Sequence, residues 1–84
     1  MSAAVAMYVL THRHAAAECG AAYAAWKGFD SPLRARPTLA SCLSGGHRTW
    51  WQVQAPDAAA ALAQLPPFVA ERSEAEHVRE VALP

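Results

Sequence analysis

Residues 38–54, Thr38-Leu39-Ala40-Ser41-Cys42-Leu43-Ser44-Gly45-Gly46-His47-Arg48-Thr49-Trp50-Trp51-Gln52-Val53-Gln54, decide the fold. Two short runs of β-forming residues, 38–43 and 48–54, flank Ser44-Gly45-Gly46-His47, a glycine-containing connection of hairpin length. An antiparallel pair is therefore predicted at the centre of the chain. Because strand side chains alternate, Trp50 and Trp51 point to opposite faces of the sheet.

Upstream, residues 7–13 read as a strand with Tyr8, Val9, Leu10 and Thr11 as good β-formers, apolar on both faces. Residues 15–27 are alanine-rich and helical, with Cys19, Ala22, Tyr23 and Trp26 at i, i+3, i+4 and i+7 on one stripe and Gly28 placed to stop the helix. Residues 29–37 carry two prolines and form a loop. Downstream, Asp57 is the N-cap of a second helix with Ala58, Ala61, Leu62 and Leu65 on one face, and Pro66-Pro67 ends it. A helical turn over 68–72 and a last strand over 77–83 complete the chain. The order β-α-β-β-α-β is the ferredoxin-like, split-βαβ arrangement of the α+β class, a four-stranded antiparallel sheet with two helices on one face. Residues 1–84 form one domain by this reading, and the helices leave one sheet face for a second subunit.

The 84 residues are 54% hydrophobic, with seven basic and seven acidic side chains. That composition describes a folded domain rather than a disordered segment. Much of the apolar fraction is alanine, so the aromatic residues carry the core, and stability at this length benefits from a metal or a partner subunit. Zero net charge without a basic run removes the attraction on which nucleic-acid and anionic-membrane binding depend, and neither partner is expected. The apolar amino-terminal stretch has no basic n-region and is interrupted by His12, Arg13 and His14, which favours a cytoplasmic protein. In a reducing compartment Cys19 and Cys42 are free thiols or ligands rather than a bridge.

The topology gathers the chemistry. His12 and His14 close the first strand, Cys42 closes the second, His47 opens the third and His77 opens the fourth, all at one end of the sheet. Cys19 lies toward that end but reads as core. Imidazole and thiolate donors favour zinc, nickel or copper over magnesium or calcium. His12, His14 and His47 are the first-choice ligands, followed by Cys42 and His77. The bland readings stay open beside this one: hydrogen-bonding groups at strand ends for His12 and His14, a solvated strand start for His77, a small buried hydrophobe for Cys42, and loop solvation for His47.

The aromatic residues offer a second reading. Tyr8 and Trp50, with Gln52, Gln54 and His12, are expected to line a cleft on the open sheet face that suits a flat organic ligand or haem, or else to form a dimer core. Arg34 and Arg36 could hold an anion or simply be solvated. The sequence contains no P-loop, nucleophile elbow or dinucleotide fingerprint.

Thr11-His12-Arg13 at the end of the first strand, Gln54-Ala55-Pro56-Asp57-Ala58 leading into the second helix, and the tail from Glu71-Arg72 through Val78-Arg79-Glu80-Val81 together resemble small actinobacterial ferredoxin-like proteins of the dimeric α+β barrel group, and within it a nickel-binding family. The resemblance runs over most of the chain. It implies a homodimer with packed sheet faces and a metal role for His12, while His14, Cys42 and the Trp50-Trp51 pair lie outside it. The same group looks like home to small monooxygenases, isomerases, cyclases and haem-binding proteins. Three functions are thus expected in order: a homodimeric metal-binding protein using the histidine cluster, an enzyme or haem-binding module using the aromatic cleft, and a non-catalytic accessory dimer.

Overall fold

The computed structural model describes residues 4–84, and residues 1–3 of the apolar amino-terminal stretch lie outside the described residues. Strands β1 (Ala6–Arg13), β2 (Leu39–Ala40), β3 (Arg48–Ala55) and β4 (Ser73–Val78) form one antiparallel sheet in the order β2-β3-β1-β4. A 3-10 turn (Ala16–Glu18) leads into helix α1 (Cys19–Ala24). Helices α2 (Ala58–Leu62) and α3 (Pro67–Ala70) join β3 to β4. The chain is α+β with an open four-stranded sheet, and it fits a ferredoxin-like arrangement whose second helix is broken in two by proline. Pro66 has an extended backbone (ψ 150°), while Pro67, lacking the N–H that a helix interior requires, starts α3 at its first turn.

Local rules explain the element ends. The Asp57 carboxylate accepts the Ala60 N–H at 2.7 Å, the N-cap bond expected of an aspartate there. The segment after α1 turns through Trp26 and Lys27 and stops at Gly28, whose φ of 73° is left-handed, the conformation that glycine reaches without a Cβ clash.

Residues opposite one another across an antiparallel ladder share a face, so the register sorts the sheet. Tyr8↔Val53, Leu10↔Trp51 and His12↔Thr49 lie on the helix-covered side, continued on β4 by His77, Ala75 and Ser73. That side meets Ala61, Leu65, Val69 and Leu33 in the core with Leu10, Val53 and Ala55, while Tyr8, Trp26, Trp51 and Phe68 pack around them. Each fully buried leucine or valine contributes about 1.5–3 kcal/mol relative to exposure, and the alanines far less, so this is a small core. The open face carries Met7, Val9, Thr11, Trp50, Gln52 and Gln54.

Four expectations change. The strand over 38–43 shortens to Leu39–Ala40, because Ser41–Gly46 closes on itself through backbone bonds and Cys42 opens a 3-10 turn (Cys42–Ser44) instead of ending a strand. β4 starts at Ser73 rather than 77, set by pairing with β1 and by Ala75 against Leu10. Tyr23 is 73% exposed and not core. Tyr8 and His12 fall on the covered face and Trp50, Gln52 and Gln54 on the open one, so these residues do not form the expected cleft.

Candidate metal centre

Two short segments, held by backbone bonds, carry the donors. Beyond Arg13 the chain leaves the sheet, with the His14 N–H donating to the His47 carbonyl at 3.2 Å and the Arg13 N–H donating to the Arg72 carbonyl at 3.0 Å. The Glu18 carboxylate then accepts the Ala15 N–H at 2.9 Å and the Arg72 guanidinium at 3.0 Å. The Ala15 N–H, followed by Arg72, holds that carboxyl below the usual glutamate range. The turn so fastened presents Cys19 as the first residue of α1.

The second segment bridges β2 and β3. Ser41 binds it from both sides: its N–H donates to the Arg48 carbonyl at 2.9 Å, its carbonyl accepts the Gly46 N–H at 2.8 Å and its hydroxyl accepts the Arg48 N–H at 3.2 Å. The wrap is so tight that a Cβ on Gly46 would sit 2.7 Å from the Ser41 Cβ. His47 follows with φ 52°, a left-handed conformation that a bulky residue adopts at a cost of about 1–3 kcal/mol and that clusters at functional sites. Cys42 and His47 are thereby folded onto the same point.

The donor atoms converge. One nitrogen each of His14 and His47 and the Cys42 sulfur lie within 4.8 Å of one another, and this group could hold a metal ion. The Cys19 Sγ completes it, 3.2 Å from His14 Nε2 and 3.2 Å from His47 Nδ1, while the Cys42 Sγ is 3.8 Å from His14 Nε2. With zinc–sulfur bonds near 2.3 Å and zinc–nitrogen bonds near 2.0–2.1 Å, the edges of a tetrahedral site measure roughly 3.3–3.8 Å. The Cys19–His14, Cys19–His47 and Cys42–His14 separations, 3.2, 3.2 and 3.8 Å, are close to that spacing.

His12 stands behind this group. Its Nδ1 lies 3.2 Å from the Val69 carbonyl and 3.2 Å from the Ser73 hydroxyl, and its Nε2 lies 2.9 Å from His14 Nδ1. A carbonyl only accepts, so the His12 proton sits on Nδ1 and its Nε2 accepts. His14 must then donate from Nδ1, which leaves the lone pair of its Nε2 facing the sulfurs. The ring of His12 is 2% exposed, and burial lowers its pKa, favouring the neutral form this chain of bonds needs. A histidine whose second nitrogen is fixed in this way is the usual form of a metal ligand.

The remaining candidates are elsewhere. His77 is exposed and pairs with Tyr8, its ring 5.4 Å from the tyrosine ring, whereas Ser73 pairs with His12. Four ladder positions, roughly 13 Å of strand rise, separate it from the group. The shift of β4 toward the amino terminus moved it there. His12, expected as a ligand, has Nδ1 engaged by Val69 and Ser73 and Nε2 engaged by His14, and Cys19, read as core, lies beside His14 and His47. The signal for Cys19 was a mirrored spacing, His14-x4-Cys19 and Cys42-x4-His47.

A cavity of about 350 Å³ adjoins the group between helices and sheet, with His14 and Cys42 in its wall beside Trp26, Trp51, Leu33, Arg34 and Arg36. Among the described residues, no helix is long and apolar enough to cross a membrane. No protein-family model, curated protein or solved structure matches the chain.

Proposed function

We propose that this chain is a metal-binding protein that holds one ion through His14, Cys19, Cys42 and His47, with His12 orienting His14. The observation that carries the reading is the position of the Cys19 sulfur, 3.2 Å from a nitrogen of each of two histidines, with the Cys42 sulfur 3.8 Å from the same His14 nitrogen. A donor set of two thiolates and two imidazoles favours zinc, with nickel and copper(I) as the competing ions. Four protein donors leave no open position, which suits a structural ion or one held in store rather than one that activates water. Binding would add to the small core the stability that its alanines do not supply.

The test is metal content by mass spectrometry on tag-free protein, beside His14→Ala and Cys19→Ser variants. Near-stoichiometric zinc, nickel or copper that falls away in both variants is the expected result. A metal-free protein that takes up none of these ions on incubation overturns the reading.

The open sheet face supports homodimerisation as a second part of the proposal. Leu39, Trp50 and Thr11 lie in one row across it and Met7 and Val78 in another, with Glu74 and Glu76 on the β4 edge. A second copy related by a two-fold axis would cover the apolar rows. Sedimentation at twice the chain mass, reverting to the chain mass in Trp50→Glu, is expected; a wild-type monomer at high concentration removes this part.

A further inference from the structure

We propose that the cavity beside the metal group is a binding site for a small organic anion with an aromatic or other apolar body, of the arylcarboxylate class. It goes beyond the metal reading and does not depend on it. The cavity, about 350 Å³, is of the size that takes such molecules. Its walls divide by chemistry. Trp26 and Trp51, ring centroids 5.8 Å apart and tilted by 46°, together with Leu33 and Val69, form an apolar side against which a flat ring packs. Arg34 and Arg36 also line it, and no carboxylate lines the cavity among the described residues.

Both arginines are exposed, and Arg34 is tethered. Arg34 Nη1 donates to the Phe29 carbonyl at 3.3 Å, and between the two arginines Ala35 is held at φ 59°, a left-handed backbone that a non-glycine residue takes only under constraint. Among the described residues neither guanidinium forms an ion pair, the bridges going to Arg72 instead. Two arginines lining one cavity without a counter-charge are complementary to a carboxylate, which guanidiniums can bind through paired charge-assisted hydrogen bonds. The apolar part of the lining selects against a bare inorganic anion.

The experiment is a titration of the ¹⁵N-labelled protein with phenylacetate and with its neutral isostere phenylacetamide, followed by amide chemical shifts and repeated on Arg34→Gln/Arg36→Gln. Neither arginine is a metal donor, and metal content is measured on each sample, so a failure here in fully loaded protein counts against this inference alone. Saturable shifts centred on residues 22–26 and 33–38 are expected with phenylacetate, and binding about tenfold or more weaker for the amide and for the double variant. Equal binding of acid and amide, no saturable binding of phenylacetate, or shifts centred elsewhere would each overturn it.

Discussion

His12 and His77 lie on the same face of the sheet, on neighbouring strands, and differ in almost everything else. His12 is 2% exposed and bonded through both ring nitrogens, whereas His77 is exposed and lies with its ring beside that of Tyr8. The difference lies in what surrounds each end of β1. At the His12 end two loops fold back over the strand ends, carrying His14, Cys19, Cys42 and His47. At the Tyr8 end no comparable loop arrives among the described residues. A histidine at a strand terminus is thus made into part of a site by the loops that reach it, and the sheet alone supplies only the position.

The comparison breaks most readily at the donors. If the loops make the site, removing the ion with a chelator should lower the melting temperature by roughly 10–20 °C, the effect of losing a ligand held at a hundred times its dissociation constant in a domain of this size. Cys19→Ser and His14→Ala should reproduce that shift without chelator, and His77→Ala should leave both melting and metal content unchanged, as read by calorimetry and mass spectrometry.

His12 sharpens the contrast. His12→Phe puts a somewhat larger apolar ring in its place and removes its hydrogen bonds, leaving His14 free to rotate, and should weaken metal affinity about tenfold to a hundredfold in competition with a chromogenic chelator. An unchanged affinity would reduce His12 to a core residue. The equivalent change at the other end, His77→Phe, should have no effect.

Gly46→Ala tests the loop rather than the donors. The added Cβ meets the Ser41 side chain, so the wrap that brings Cys42 to His47 must open, at about 1–3 kcal/mol of stability. Denaturant unfolding reads the first effect, and metal affinity should fall with it. The smallest effect is expected far from the site, where Asp57→Ala removes the cap of α2 at about 1 kcal/mol and leaves metal binding unaltered.

Much of this contrast could be read in the sequence. The β1 and β3 runs, the Asp57 cap, the Gly28 stop and the gathering of His12, His14, His47 and Cys42 at one end all follow from local pattern plus one topology. What escaped was tertiary. Ser73-Glu74-Ala75-Glu76 has weak strand character, since glutamate and alanine are poor β-formers, yet it pairs because β1 offers an edge and Leu10 needs cover. The actual start of β4 carries His77 away. Tyr8 and Trp50 were assigned to one face, but the register pairs Trp50 with Thr11, and a one-residue difference reverses the face. Cys19 fell on an apolar helical stripe, where a cysteine looks like any small hydrophobe, and only its mirrored spacing with Cys42 and His47 distinguishes it.

The central claim is that the loops deliver two sulfurs and two nitrogens to one ion, and X-ray absorption at the metal edge of the zinc-loaded protein tests it most directly. The account predicts a first shell of two sulfurs near 2.3 Å and two nitrogens near 2.0 Å, losing one sulfur in Cys19→Ser. A shell of nitrogen and oxygen alone, or one unchanged by that substitution, would contradict it.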